Sequence, residues 1–151
     1  MKKIKFFLPL ILVFLSTLIS CGSDDNTPST PASIIAKWNV SKTVVKTSTN
    51  TSEIPYTSNE AGCDKDYTEF AANGSLNKVV YFKNASNVCT PDAAGGSTWN
   101  KSNNTLTITG GEFAGTYQIK TLSESQLTIE STQTLSGTQF TTTVYFNKNA
   151  N

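Results

Sequence analysis

The 151-residue chain contains no histidine and no arginine, and all twelve of its cationic side chains are lysines. Without imidazole there is no His-based catalytic triad, no His metal site and no side chain whose ordinary pKa lies near neutral pH. Without guanidinium there is no bidentate clamp for phosphate or carboxylate. Methionine occurs only at position 1 and cysteine only three times. Lysines cluster only at positions 2, 3 and 5, and the lack of any later basic run argues against a nucleic-acid partner. What remains is rich in Thr, Ser, Asn and Gly, with eight Phe, five Tyr and two Trp. That profile suits β-structure with small polar turns.

The first residues carry a different signal. Lys2, Lys3 and Lys5 precede an apolar run over residues 6–19 that Pro9 interrupts. A membrane-spanning helix needs roughly twenty apolar residues, so the run reads as a signal peptide. It ends in Leu18-Ile19-Ser20-Cys21, which resembles the lipobox of bacterial lipoproteins. The resemblance implies removal of residues 1–20 and attachment of fatty acyl chains such as palmitate at Cys21. Two or more such chains hold a protein stably on a bilayer, whereas one does not. Removing residues 1–20 also takes away three lysines. Nine then face eleven acidic residues, a formal charge of −2.

Residues 21–33 hold no large apolar side chain and read as a lipidated N-terminus with a flexible tether. Ser23-Asp24-Asp25 resembles the export signal of some Bacteroidetes surface lipoproteins; a solvated acidic linker is the alternative. The expected location is therefore the outer membrane, on its periplasmic or cell-surface face. With Cys21 assigned to lipid, Cys63 and Cys89 are left as an even pair in an oxidising compartment. A bridge across their separation would stabilise by roughly 3.5 kcal/mol in the chain-entropy model. Two unpaired thiols are the alternative.

From Ile34 onward the hydrophobic period is two. Eight strands are expected: one from Trp38 through Val44, then residues 67–71, 76–83, 98–101, 105–109, 115–122, 127–130 and 140–147. Asn73-Gly74 is a strong hairpin signal between the second and third. Residues 48–66 and 84–96 read as polar loops, the second interrupted by Pro91 and Gly95-Gly96. Alternation buries one face of each strand, as antiparallel sheets do. An eight-stranded antiparallel up-and-down barrel and a two-sheet β-sandwich both satisfy it.

Three landmarks bear on that choice. Ile35-Ala36-Lys37-Trp38 resembles the G-x-W opening of lipocalin-like domains, with Ala36 where Gly is usual. Cys63-Asp64-Lys65-Asp66 followed by Phe70 and Asn73-Gly74 is similar to their C-x-x-D…F…DG hairpin. Gly96-Ser97-Thr98-Trp99 with Asn104-Thr105-Leu106-Thr107-Ile108 resembles their G-x-W…N-x-L-x-I hairpin. The resemblance covers residues 34–147, leaving residues 148–151 as a disordered tail, and implies the barrel.

An eight-stranded barrel is filled by side chains or holds one small ligand. The inward set is Trp38, Val40, Val44, Phe70, Leu76, Trp99, Leu106, Ile108, Tyr117, Ile119, Leu127, Ile129, Phe140, Val144 and Phe146. Of these, Trp38, Trp99, Tyr117, Phe70 and Phe146 are the candidate lining of an apolar pocket, or else core. Asp64, Asp66 and Glu69 form only a fragment of a calcium loop and read as solvated charges. No second carboxylate is placed opposite them for acid–base chemistry. The expectation is a lipid-anchored cell-envelope protein, not an enzyme, needing no cofactor and no metal, that binds a small apolar or amphipathic ligand. The alternative is an accessory module that contacts a protein or glycan through residues 48–66 and 84–96.

Overall fold

The computed structural model describes residues 31–150. These form nine strands: β1 (Lys37–Lys46), β2 (Thr51–Pro55), β3 (Tyr67–Phe70), β4 (Ser75–Lys83), β5 (Cys89–Ser102), β6 (Thr105–Thr109), β7 (Gly115–Leu122), β8 (Gln126–Leu135) and β9 (Thr138–Lys148). Every pairing is antiparallel. From β3 to β9 each strand pairs with the next, β1 pairs with β3, and β9 returns to β1. The result is a closed eight-stranded up-and-down barrel with β2 added beside β1, rather than a two-sheet sandwich. Closure pairs the edges that an open sheet would leave bare.

Turn chemistry fits the topology. Gly74 (φ 83°) follows Asn73, whose side chain accepts from the N–H and hydroxyl of Ser75. Ser136 and Gly137 join β8 to β9, both with positive φ, as the tightest hairpin turns require.

The core contains Trp38, Phe70, Leu76, Leu106, Ile108, Tyr117, Ile119, Leu127, Ile129, Val144 and Phe146, all expected inward, and also Ile34. Trp38 is wholly buried and its indole N–H donates to the Ile34 carbonyl at 2.8 Å. Trp99 packs edge-on against Phe70, ring centroids 5.6 Å apart, and donates to the Ala71 carbonyl. These side chains plug the end of the barrel at which the chain arrives from residue 31.

Four expectations are corrected. β2 lies inside the segment 48–66 read as loop. All five of its residues are exposed, so no apolar alternation could announce it, and it forms by pairing with residues 42–46 of β1. β5 takes in most of the second expected loop. β6 pairs only with its residues 98–102, so residues 89–97 have an unpaired side, where a proline such as Pro91 is tolerated. Gly95 and Gly96 make a bulge opposite Asn77, since Leu76 pairs with Ser97 but Lys78 with Ala94.

Val44 is the third. Val40 pairs with Phe146 but Lys42 with Tyr145, so Ser41 is an extra residue in β1. A one-residue bulge swaps faces. Thr43, not Val44, therefore stands opposite the buried Val144. Finally, β9 continues to Lys148, and Asn149 N–H donates to the Lys37 carbonyl at 2.9 Å, so ordered pairing runs past the expected boundary at 147.

Candidate functional site

The wall of the barrel is thinnest between β1 and β3. These strands share only the pairs Lys37–Glu69 and Trp38–Thr68, after which β1 gives the same edge to β2. Residues 56–66 fill the gap. Their ordering centre is Asp66, which is buried. Its carboxylate accepts from the Tyr56 hydroxyl at 2.6 Å and from the Tyr81 backbone N–H at 2.7 Å. Its own N–H donates to Asn59 Oδ1 at 3.0 Å, and its carbonyl accepts from Asn39 Nδ2 at 2.7 Å.

Asp66 is therefore not the solvated loop charge expected. A buried carboxylate is tolerated when its oxygens accept hydrogen bonds, and here each oxygen accepts one. Asp64 is exposed and Glu69 half-buried, and the described residues hold no cluster of three potential metal ligands that includes them. The Cys63–Cys89 disulfide forms, with Cα atoms 5.6 Å apart, and ties this segment to the start of β5. Burial, the bond to Asp66 and the negative charges of Asp66 and Glu112 raise the Tyr56 phenol well above its ordinary value.

Opposite the plugged end, the β6–β7 connection folds inward. It starts with Gly110 and Gly111, both at positive φ. A Cβ on Gly111 would lie 2.3 Å from Ser97 Oγ, a hydroxyl that can rotate away, so it is the positive φ of 71° that favours glycine here. The connection brings the Phe113 ring to 6.2 Å from Phe146, and the Phe113 carbonyl accepts from the Tyr117 hydroxyl at 3.0 Å. Burial raises the Tyr117 phenol as well. Glu112 forms an ion pair with Lys78 of β4.

Two hollows flank that ion pair. A small one of about 80 Å³ is bordered by Val40, Thr43, Tyr56, Asp66, Tyr67 and Thr68. A larger one of about 250 Å³ is bordered by Leu76, Val80, Ala94, Gly95, Ser97 and Gly111. Both share Thr68, Lys78, Glu112 and Phe113, so they are two halves of one cleft. The smaller half, of about 80 Å³, has room for two or three waters, at roughly 30 Å³ each. The cleft suits a small molecule with an apolar body and one polar group.

Of the five expected lining residues, Trp38, Phe70, Tyr117 and Phe146 lie in the core, with Trp99 packed against it, and none borders this cleft. Their bulk fills the barrel, each large aromatic burying some 150–250 Å². Trp99 instead borders a separate, open hollow of about 350 Å³ with Ile34, Ile35, Lys101 and Leu122. Sequence reasoning missed Lys78, Glu112 and Phe113. Lys78 shares strand parity with Leu76, and inward lysines are rare enough to be overlooked. Cys21 and Ser23-Asp24-Asp25 lie outside the described residues.

Residues 34–129 match the family model of the lipocalin-like domain. No curated protein matches the chain.

Proposed function

The chain belongs to the family of lipocalin-like domains, and from that premise we propose a lipid-anchored cell-envelope protein that takes a small amphipathic ligand into the cleft above Phe113. One observation carries the reading: an apolar wall of Leu76, Val80, Ala94 and Phe113 converges on a single ion pair, Lys78–Glu112. Ligand sites commonly combine an apolar wall with a few placed polar groups. The family is chiefly one of binding folds, and this reading assigns the protein no catalysis.

Titration with hexanol, followed by amide chemical shifts, tests the site. Saturable changes confined to Val80, Ala94, Ser97 and Phe113 are expected, and Ala94→Trp, which fills the cleft, should abolish them. Changes at Trp38 and Leu127 instead would move the ligand into the core and end the proposal.

The anchor rests on the lipobox at Cys21. Cys21→Ser should shift the protein from the membrane to the soluble fraction, and an unchanged partition would reject lipidation. Ser23-Asp24-Asp25 supports the surface face of the outer membrane. Protease added to intact cells should then remove the domain, and protection would place it in the periplasm. A second reading, contact with a protein or glycan, draws on Ile54, Phe82, Val88 and Leu135, which are large, apolar and exposed. Under it, Val88→Asp should weaken capture of that partner without affecting hexanol.

A further inference from the structure

The charge balance of the cleft narrows the class of ligand, an inference that rests on the binding reading above. Asp66 and Glu112 border it with two carboxylates, against the single ammonium of Lys78. Glu112 is exposed and sits on the glycine-led connection, while Asp66 is fixed in place by Tyr56 and Tyr81. Three aromatic residues border the same hollow; the Tyr67 ring already carries the Lys37 ammonium at 4.7 Å, which leaves Tyr56 and Phe113.

An anionic head group entering here would displace Glu112 from Lys78 and still face the buried charge of Asp66. Like charges brought together in a partly dry site are costly. A cationic head group meets the opposite situation. Both carboxylates attract it, and aromatic faces favour a cation placed within about 6 Å. Lys78 borders both halves of the cleft, and its ammonium is already held there by Glu112.

We infer that the ligand is a small organic ammonium compound: an amine with a short apolar tail, whose nitrogen takes the place of the Lys78 ammonium beside Glu112 while its tail lies along Leu76, Val80, Ala94 and Phe113. Lys78 is then an internal competitor that keeps the empty cleft neutralised.

The test compares hexylamine, hexanol and hexanoate, three ligands with the same tail and different charge. They are titrated against the full chain, purified from membranes and immobilised by a C-terminal tag. Hexylamine should bind about tenfold more tightly than hexanol, the size of one partly desolvated ion pair or cation–π contact, and hexanoate more weakly than hexanol. Glu112→Gln, on an exposed loop, should reduce the preference for hexylamine several-fold. Lys78→Met, which keeps the stem and removes the competing charge, should strengthen hexylamine binding. Tighter binding of hexanoate than of hexanol, or weaker hexylamine binding in Lys78→Met, overturns the ammonium assignment and leaves the cleft reading standing. Binding by none of the three overturns the cleft reading itself.

Discussion

Replacing Tyr56 by Phe removes one oxygen and with it the 2.6 Å hydrogen bond to Asp66. The carboxylate keeps the Tyr81 N–H on its other oxygen, so the charge is half-satisfied rather than orphaned. A hydrogen bond to a charged group contributes about 1.5–3 kcal/mol net, and the expected loss is about 2 kcal/mol. Unfolding entropy is about 2.1 cal/mol/K per residue, which over residues 31–150, about 120 in all, gives about 0.25 kcal/mol/K. The melting temperature should therefore drop by about 8 °C. Asp66→Asn removes the charge but leaves an amide oxygen able to accept one bond. The double variant should lose less than the sum of the two, with a coupling of about 1–2 kcal/mol. Urea unfolding and thermal melts of the four proteins measure this directly. A Tyr56→Phe loss under about 0.5 kcal/mol, or additive effects, would mean that Asp66 is not the group that holds residues 56–66 in the gap between β1 and β3.

Cys63→Ser with Cys89→Ser should cost about 3.5 kcal/mol, from loop closure over a separation of 26 residues; a melt unchanged by reductant would contradict this. Tyr56 and Tyr117 both have raised phenol pKa values when folded, so their contribution is complete below the ordinary tyrosine value near 10 and is lost as pH rises above it. Tyr56→Phe should flatten that alkaline decline, as stability curves against pH would record. The Ser41 bulge predicts that Thr43→Asp destabilises by about 2 kcal/mol or more whereas Val44→Thr stays within about 0.5 kcal/mol; equal losses would mean the faces are not exchanged. Gly111→Ala should cost about 1–2 kcal/mol through its left-handed backbone. Recovery in Gly111→Ala with Ser97→Gly would instead assign the cost to the contact with Ser97.

The strands that bury a face were legible because burial writes itself into alternation: Leu106 and Ile108, Tyr117 and Ile119, Leu127 and Ile129 all recur at period two and all lie in the core. β2 was illegible for the same reason, since it buries nothing. Bulges are silent in a hydrophobic pattern, and the one at Ser41 moved Val44 off the core face. The cleft was harder to foresee. Its walls come from β4, β5 and the β6–β7 connection, segments distant in sequence, and its polar pair joins residues 78 and 112. Asp66 did leave a trace, three residues after Cys63 in a C-x-x-D spacing. Its burial depends on Tyr56 and Tyr81, which no local pattern connects to it.

The eight pairs between β1 and β9 run from Trp38–Lys148 to Lys46–Thr141, so the first barrel strand waits for the last one synthesised. Contacts that distant in sequence make folding slow. Until residues 138–148 arrive, β1 and β8 each expose a bare hydrogen-bonding edge, the kind that recruits strands from other chains. A nascent chain therefore has to be kept apart from its copies until β9 has been made. A chain cut at residue 129, where the family match ends, would keep its most recognisable sequence and lose the ring.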